Sequence, residues 1–176
     1  MKRESLEQTL IGAVVEGDFN KVQNMLKAGV DVDSRDREHG DTALMLSLRF
    51  GFGEIAQILL EHGADVEARN DEGRSVLSLA PCVDKRTGAV SSLFQSLLAS
   101  GADINSVDAE GRSVLAWQMM SGIPSAAVEF LLSEGADPAL ADECRETALT
   151  LAEDYGFTKA AELMRQTLER KKGIDG

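Results

Sequence analysis

Cys82, Cys144, His39 and His62 are the side chains of this 176-residue sequence best suited to nucleophilic or metal chemistry. A thiolate beside an imidazole can attack a carbonyl, and several such groups at short spacing can close a tetrahedral zinc site. The spacing supports neither. The cysteines form no CxxC pair, the histidines stand in no HExxH or comparable motif, and within any local segment no Ser or Cys is matched to a His base. The glycines of GFGEIA (51–56) suit a tight turn and lack the pattern of a phosphate-cradling loop. No catalytic residue, metal site or cofactor is therefore expected.

What does repeat is a hexapeptide. EGRSVL stands at 72–77 and again at 110–115. Upstream of the two copies run GADVEARND (63–71) and GADINSVDA (101–109), with weaker copies at GVDVDSRDR and GADPALADE. The leading glycines, Gly29, Gly63, Gly101 and Gly135, are separated by 34, 38 and 34 residues, a period typical of repeat arrays.

Each period encodes the same elements. Seven, four and three positions before each leading glycine stand Val22, Met25 and Leu26; Ala56, Leu59 and Leu60; Phe94, Leu97 and Leu98; and Val128, Leu131 and Leu132. That spacing lays an apolar stripe on one face of a helix. The glycine suits the position just past the helix end. A polar segment then reaches a second glycine at Gly40, Gly73 or Gly111, shortly before Thr42, Ser75 and Ser113. These, with Thr147, are placed to accept free N–H groups at the start of a second, shorter helix. His62 falls at a helix C-terminus and His39 in a loop.

One unit is thus a finger, a short helix, a tight turn at Gly17, Gly51, Gly88, Gly122 or Gly156, and a longer helix. The pairing of DxxGxT with LLxxGAD, as in ILLEHGADVEARNDEGRSVLSLA and FLLSEGADPALADECRETALTLA, closely resembles the ankyrin repeat. The family's TPLH reads TALM, SVLS, SVLA and TALT here. The resemblance implies an all-α solenoid of helix-turn-helix units with β-turn or hairpin-like fingers. It is expected as one array over 1–176, in units 1–35, 36–69, 70–107, 108–141 and 142–176. Cys82 and Cys144 then lie in different units with a helix layer between them, too far apart for a disulfide.

The outer units carry the marks of caps. Ser5 and Gln8 are spaced as a capping box, and Arg165 replaces the equivalent of Leu60, with Arg170, Lys171 and Lys172 beyond it. The third unit is longer. From Ser75 to Gly88 there are 13 steps, against 9 in the units of Thr42, Ser113 and Thr147, so four residues are inserted within 81–88. Pro81 ends the short helix there. Trp117 takes the slot of Leu46, Leu79 and Leu151 and is expected in the core.

Function is expected to lie on surfaces. Resemblance to ankyrin proteins implies protein binding through the concave face of fingers and first helices. The matching positions with the strongest side chains are Arg49, Phe50, Asp71, Glu72, Arg74, Glu110, Arg112, Met120, Asp154 and Tyr155, and the inserted loop adds Cys82, Asp84, Lys85 and Arg86 as a second candidate contact. Eighteen Lys and Arg against 30 Asp and Glu give a net charge of −12. By unit the balance runs −1, −4, −1, −4 and −2. Such a field disfavours nucleic acid and anionic membranes and favours a basic partner. The expectation is a cytoplasmic protein, monomeric in isolation, that inhibits or adapts a partner. An acidic nucleic-acid mimic and a self-assembling repeat protein are the alternatives. The resemblance also raises asparagine hydroxylation, for which only Asn105 occupies the relevant slot.

Overall fold

A computed structural model of the protein describes residues 10–84 and 89–174. Ser5 and Gln8, and with them the expected capping box, lie outside the described residues, as do Lys85, Arg86 and Gly88. Helix α1 covers 10–15. It is followed by α2 (Phe19–Lys27), α3 (Ala43–Phe50), α4 (Gly53–Glu61), α5 (Val76–Leu79) and α6 (Ser92–Ala99). Helices α7 (Val114–Met120), α8 (Ser125–Ser133), α9 (Ala148–Asp154) and α10 (Thr158–Ile174) complete the series. The short helices α3, α5, α7 and α9 pack on one another in succession, and the longer helices form the layer behind them.

The helix starts are set by local chemistry. Thr42, Ser75, Ser113 and Thr147 are N-caps whose hydroxyl oxygens accept from the N–H of Met45, Ser78, Ala116 and Thr150. His62 caps α4, its Nδ1 lying 2.9 Å from the Ile58 carbonyl. Of the expected stripes, Val22, Leu26, Ala56, Leu59, Phe94, Leu97, Val128 and Leu131 are buried, while Met25, Leu60, Leu98 and Leu132 are partly so. Phe94 is among the largest fully buried side chains and sits where the two layers meet.

No strand occurs among the described residues, but every finger is closed by an isolated antiparallel bridge: Arg35 with Thr42, Arg69 with Ser75, Val107 with Ser113, Ala141 with Thr147. The insertion closes in the same way, by a bridge between Val83 and Val90 flanked by Asp84 N–H to Ala89 carbonyl (2.9 Å) and Ser91 N–H to Cys82 carbonyl (2.8 Å). Pro81 does end the helix, since α5 spans 4 residues where α3 spans 8.

Candidate functional site

Each finger is folded around one short polar side chain. Asp36, Asn70, Asp108 and Asp142 occupy equivalent places, and in each the Oδ1 accepts two backbone N–H groups further along the finger. Such a loop resembles a hairpin without needing strand pairing. The fingers are then stitched together by their backbones. The Asp71 N–H donates to the His39 carbonyl (2.9 Å), that of Ala109 to Glu72 (3.1 Å), and that of Glu143 to Glu110 (3.0 Å).

Gly73 makes this close approach possible. Its φ is +70°, and a Cβ there would stand 2.7 Å from the backbone nitrogen of Ala109. The fourth finger has Arg145 in the equivalent slot, at φ 66°. Among the described residues no further finger stacks on it, so the steric demand for glycine is absent and only the conformational cost remains. Arg35 and Arg69 add a second stitch. The Nη1 of Arg35 donates to its own finger at Gly40 (2.8 Å) and to the next unit at Arg69 (2.5 Å). Arg69 does the same to the carbonyls of Gly73 and Val107.

The two copies of EGRSVL converge on one indole. The guanidinium carbon of Arg74 lies 4.0 Å from the Trp117 ring centroid and that of Arg112 lies 4.5 Å from it, well within cation–π range. The Trp117 Nε1 and Arg112 Nε both donate to Asp108 Oδ2 at 2.9 Å. The Asp108 carboxylate is fully buried and takes both of its finger's backbone donors on Oδ1. Arg112 also donates to Glu110 at 2.6 Å, and Arg74 pairs with Glu72 at 2.8 Å. Hydrogen bonds to Asp108 and Glu110 raise the Arg112 pKa further, against the opposing effect of burial.

Trp117 is therefore not a closed core residue as expected from its leucine slot. It is partly exposed, as is Leu79 in the equivalent slot, and finds its cover in two arginines on adjacent fingers.

The expected apolar contacts lie at the ends of the first helices away from the fingers. Phe50, Met120 and Tyr155 are 45–56% exposed, and Val15, which the sequence reading did not single out, is 50% exposed. All four sit at the end of a first helix, just before the turn glycine. Phe50 rests against Phe52 (centroids 5.9 Å apart) and Tyr155 against Phe157 (6.0 Å), so one side of each ring is covered and the other free. Arg49 reaches back to the buried Asp41 as an ion pair at 2.8 Å, and Asn70 donates to the other oxygen of that carboxylate. Asp71, Glu72, Glu110 and Asp154 are exposed.

The inserted segment differs from expectation at Cys82, which is 1% exposed and part of the core. Gln118 of α7 explains its place: the side chain donates to the Ala80 carbonyl (3.0 Å) and accepts from Cys82 N–H (3.4 Å), serving both backbone groups that flank Pro81. Asp84 is exposed. Burial pushes the Cys82 thiol from 9.0 up to about 11. The folded state thus keeps a proton that the unfolded chain releases near pH 9, so the contribution of this group is present below that pH and is lost as pH rises toward 11. Cys144, exposed at a fingertip, is expected to react with a thiol reagent in the native protein, and Cys82 only after urea unfolding. Counting reactive thiols with and without urea checks this; two fast thiols in the native protein would contradict it.

With the geometry in place, the comparisons agree with it. A family model described as ankyrin repeats (3 copies) matches residues 10–86. This match supports an ankyrin-repeat protein. A Rickettsia felis protein named as an ankyrin repeat protein is 34% identical over 73 residues, covering 42% of this chain and 24% of the relative. YahD of Escherichia coli K12, also named as an ankyrin repeat protein, is 29% identical, with 93% of this chain and 98% of the relative aligned. Human protein phosphatase 1 regulatory subunit 27 is 39% identical over 61 residues, or 35% of this chain and 39% of that protein. The chain spans about a quarter of the length of the first relatives it matches. Ankyrin-repeat proteins in general use their stacked surfaces as non-catalytic, protein-binding modules. No described helix is long and apolar enough to cross a membrane.

Proposed function

We propose that this ankyrin-repeat protein is a non-catalytic binding module whose concave face covers a basic surface on a protein partner, acting as a stoichiometric inhibitor or adaptor. The observation that carries the reading is the composition of that face. The four fingertips (36–41, 70–74, 108–112 and 142–146) hold ten acidic residues against four arginines, and all of the acids but the buried Asp41 and Asp108 reach the surface. Across the same face stand the exposed large hydrophobics Val15, Phe50, Met120 and Tyr155. Acid supplies steering and selectivity for a basic partner, and large apolar side chains supply the anchoring energy. The contact set is Arg49, Phe50, Asp71, Glu72, Arg74, Glu110, Arg112, Met120, Asp154 and Tyr155. The name of the human relative, a phosphatase regulatory subunit, is in keeping with action through a partner. Arg74 and Arg112 break the acid on adjacent fingers, which argues against mimicry of a nucleic acid. Two free thiols suit a reducing, cytoplasmic setting.

The test is capture from host lysate at low and moderate salt by the wild type and by a Phe50→Ala, Tyr155→Ala variant. Both positions are exposed, so the variant is expected to keep its stability within about 1 kcal/mol. A basic protein should be held by the wild type, weakened by salt and lost from the variant. Equal, salt-independent retention by both would overturn the reading.

A further inference from the structure

We infer that the occupant of the concave face is a cationic amphipathic helix lying along the stack axis, with its apolar stripe on the row of exposed side chains and its lysines and arginines over the fingers. This rests on the protein-binding reading above and gives the partner's form. Three geometric features point to it.

The first is the floor. Helical spacing places Phe50 four residues after Leu46, Met120 three after Trp117, and Tyr155 four after Leu151, so each exposed side chain shares a face with an apolar residue beneath it. The floor is also held still at its centre, where Arg74, Arg112 and Asp108 fix Trp117. A preordered surface loses little entropy on binding.

The second is the step. Neighbouring first helices pack at about 8–10 Å, so anchors on successive units recur at roughly that interval or its multiples. Seven residues of an α-helix rise about 10.5 Å, and one apolar position per heptad keeps pace with the row. The four-residue α5 supplies no exposed large hydrophobic among the described residues, so the partner's anchors are expected opposite the first, second, fourth and fifth units.

The third is width and charge. Helix α3 has 8 residues, about 12 Å of length, which matches the 10–12 Å diameter of a helix laid across it. Among the described residues, the free acids bordering that strip are Asp71 on the finger side and Asp154 beside Tyr155, both exposed, while Glu72, Glu110 and Glu153 are held in ion pairs by Arg74, Arg112 and Arg165. A helix with basic residues flanking its apolar stripe meets carboxylates at both edges.

The experiment uses two tryptophan-free, fluorescently labelled peptides of about 28 residues, long enough to span some 40 Å as a helix. One carries leucine at two heptad positions flanked by lysine. The other has the same composition permuted so that the leucines surround the helix. Binding to the full chain at moderate salt is read by anisotropy of nanomolar peptide and by the emission of the single Trp117. The amphipathic peptide is expected to bind at least tenfold more tightly than the permuted one, to shift the Trp117 emission, and to lose that advantage with the Phe50→Ala, Tyr155→Ala variant. Equal affinity of the two peptides would reduce the attraction to net charge and overturn the helix while leaving the basic-partner reading standing. No binding by either peptide at low salt would overturn the helix as well, and capture from lysate would then decide the broader reading on its own.

Discussion

Gly73→Ala is expected to destabilise the protein by about 3 kcal/mol, while Gly29→Ala, at nearly the same backbone conformation, costs only about 1 kcal/mol. The two sites differ in one respect. Both have positive φ (+70° and +80°), so both pay for putting an L side chain into the left-handed region. At Gly29 a Cβ meets nothing within 4 Å, whereas at Gly73 it comes within 2.7 Å of the Ala109 nitrogen. That nitrogen belongs to the finger ladder, donating to the Glu72 carbonyl at 3.1 Å. Relieving the clash therefore means separating the third and fourth fingers, which also pulls Arg74 away from Trp117. Urea unfolding of the two variants, with unchanged slope, measures the difference. Equal losses would mean that the fingers part without cost and that the ladder holds nothing together.

Asp108→Ala is the second large expected effect, again about 3 kcal/mol, because the carboxylate is a buried hub. Its two oxygens accept from the backbone N–H of Glu110 and Arg112, from Arg112 Nε and from Trp117 Nε1, at 2.8–3.1 Å. Removing an acceptor from several buried or half-buried donors costs more than the net worth of one hydrogen bond, and a charged donor raises the cost. Arg112 keeps its contact with Glu110 at 2.6 Å, which limits the loss. Asp108→Asn keeps one acceptor for the backbone pair and should fall between the two. Because Trp117 is the only tryptophan, its emission should move to longer wavelength in the folded Asp108→Ala protein, as the indole loses its fixed partner and gains water. A loss below about 1 kcal/mol with unchanged emission would show that the hub is dispensable.

Both variants bear on binding through rigidity. The fingers touch one another through single backbone hydrogen bonds and through arginines that each serve two units. In a stack where each unit meets only its neighbours, such interface terms set both stability and the shape of the concave face. A variant that loosens the third finger from the fourth is thereby expected to weaken partner binding without touching a contact residue.

The repeat order, the helices, their caps, the turn at Gly73 and the break at Pro81 were legible in the amino-acid sequence, and for one reason: each is decided by residues within about one turn or one finger of one another. Apolar spacing of three and four makes a stripe wherever the helix packs, and a hydroxyl three residues before a free N–H caps it in any context. The exposure of Phe50, Met120 and Tyr155 was legible too, since helix periodicity turns them away from the buried stripe. Val15 escaped notice because Val is common in cores and the flanking residues offered no contrast. The convergence of Arg74 and Arg112 on Trp117, the seating of Cys82 by Gln118 and the double duty of Arg35 and Arg69 belong to the tertiary structure alone. Arg112 aside, which stands five residues before Trp117, the partners that join neighbouring units are 34 to 43 residues apart, about one repeat along the chain. Which side chains meet across that interval depends on how closely two fingers approach and on whether a slot closes over its occupant. An indole in a leucine slot and a proline inside a short helix signal that something must give, and only packing between neighbouring units decides what.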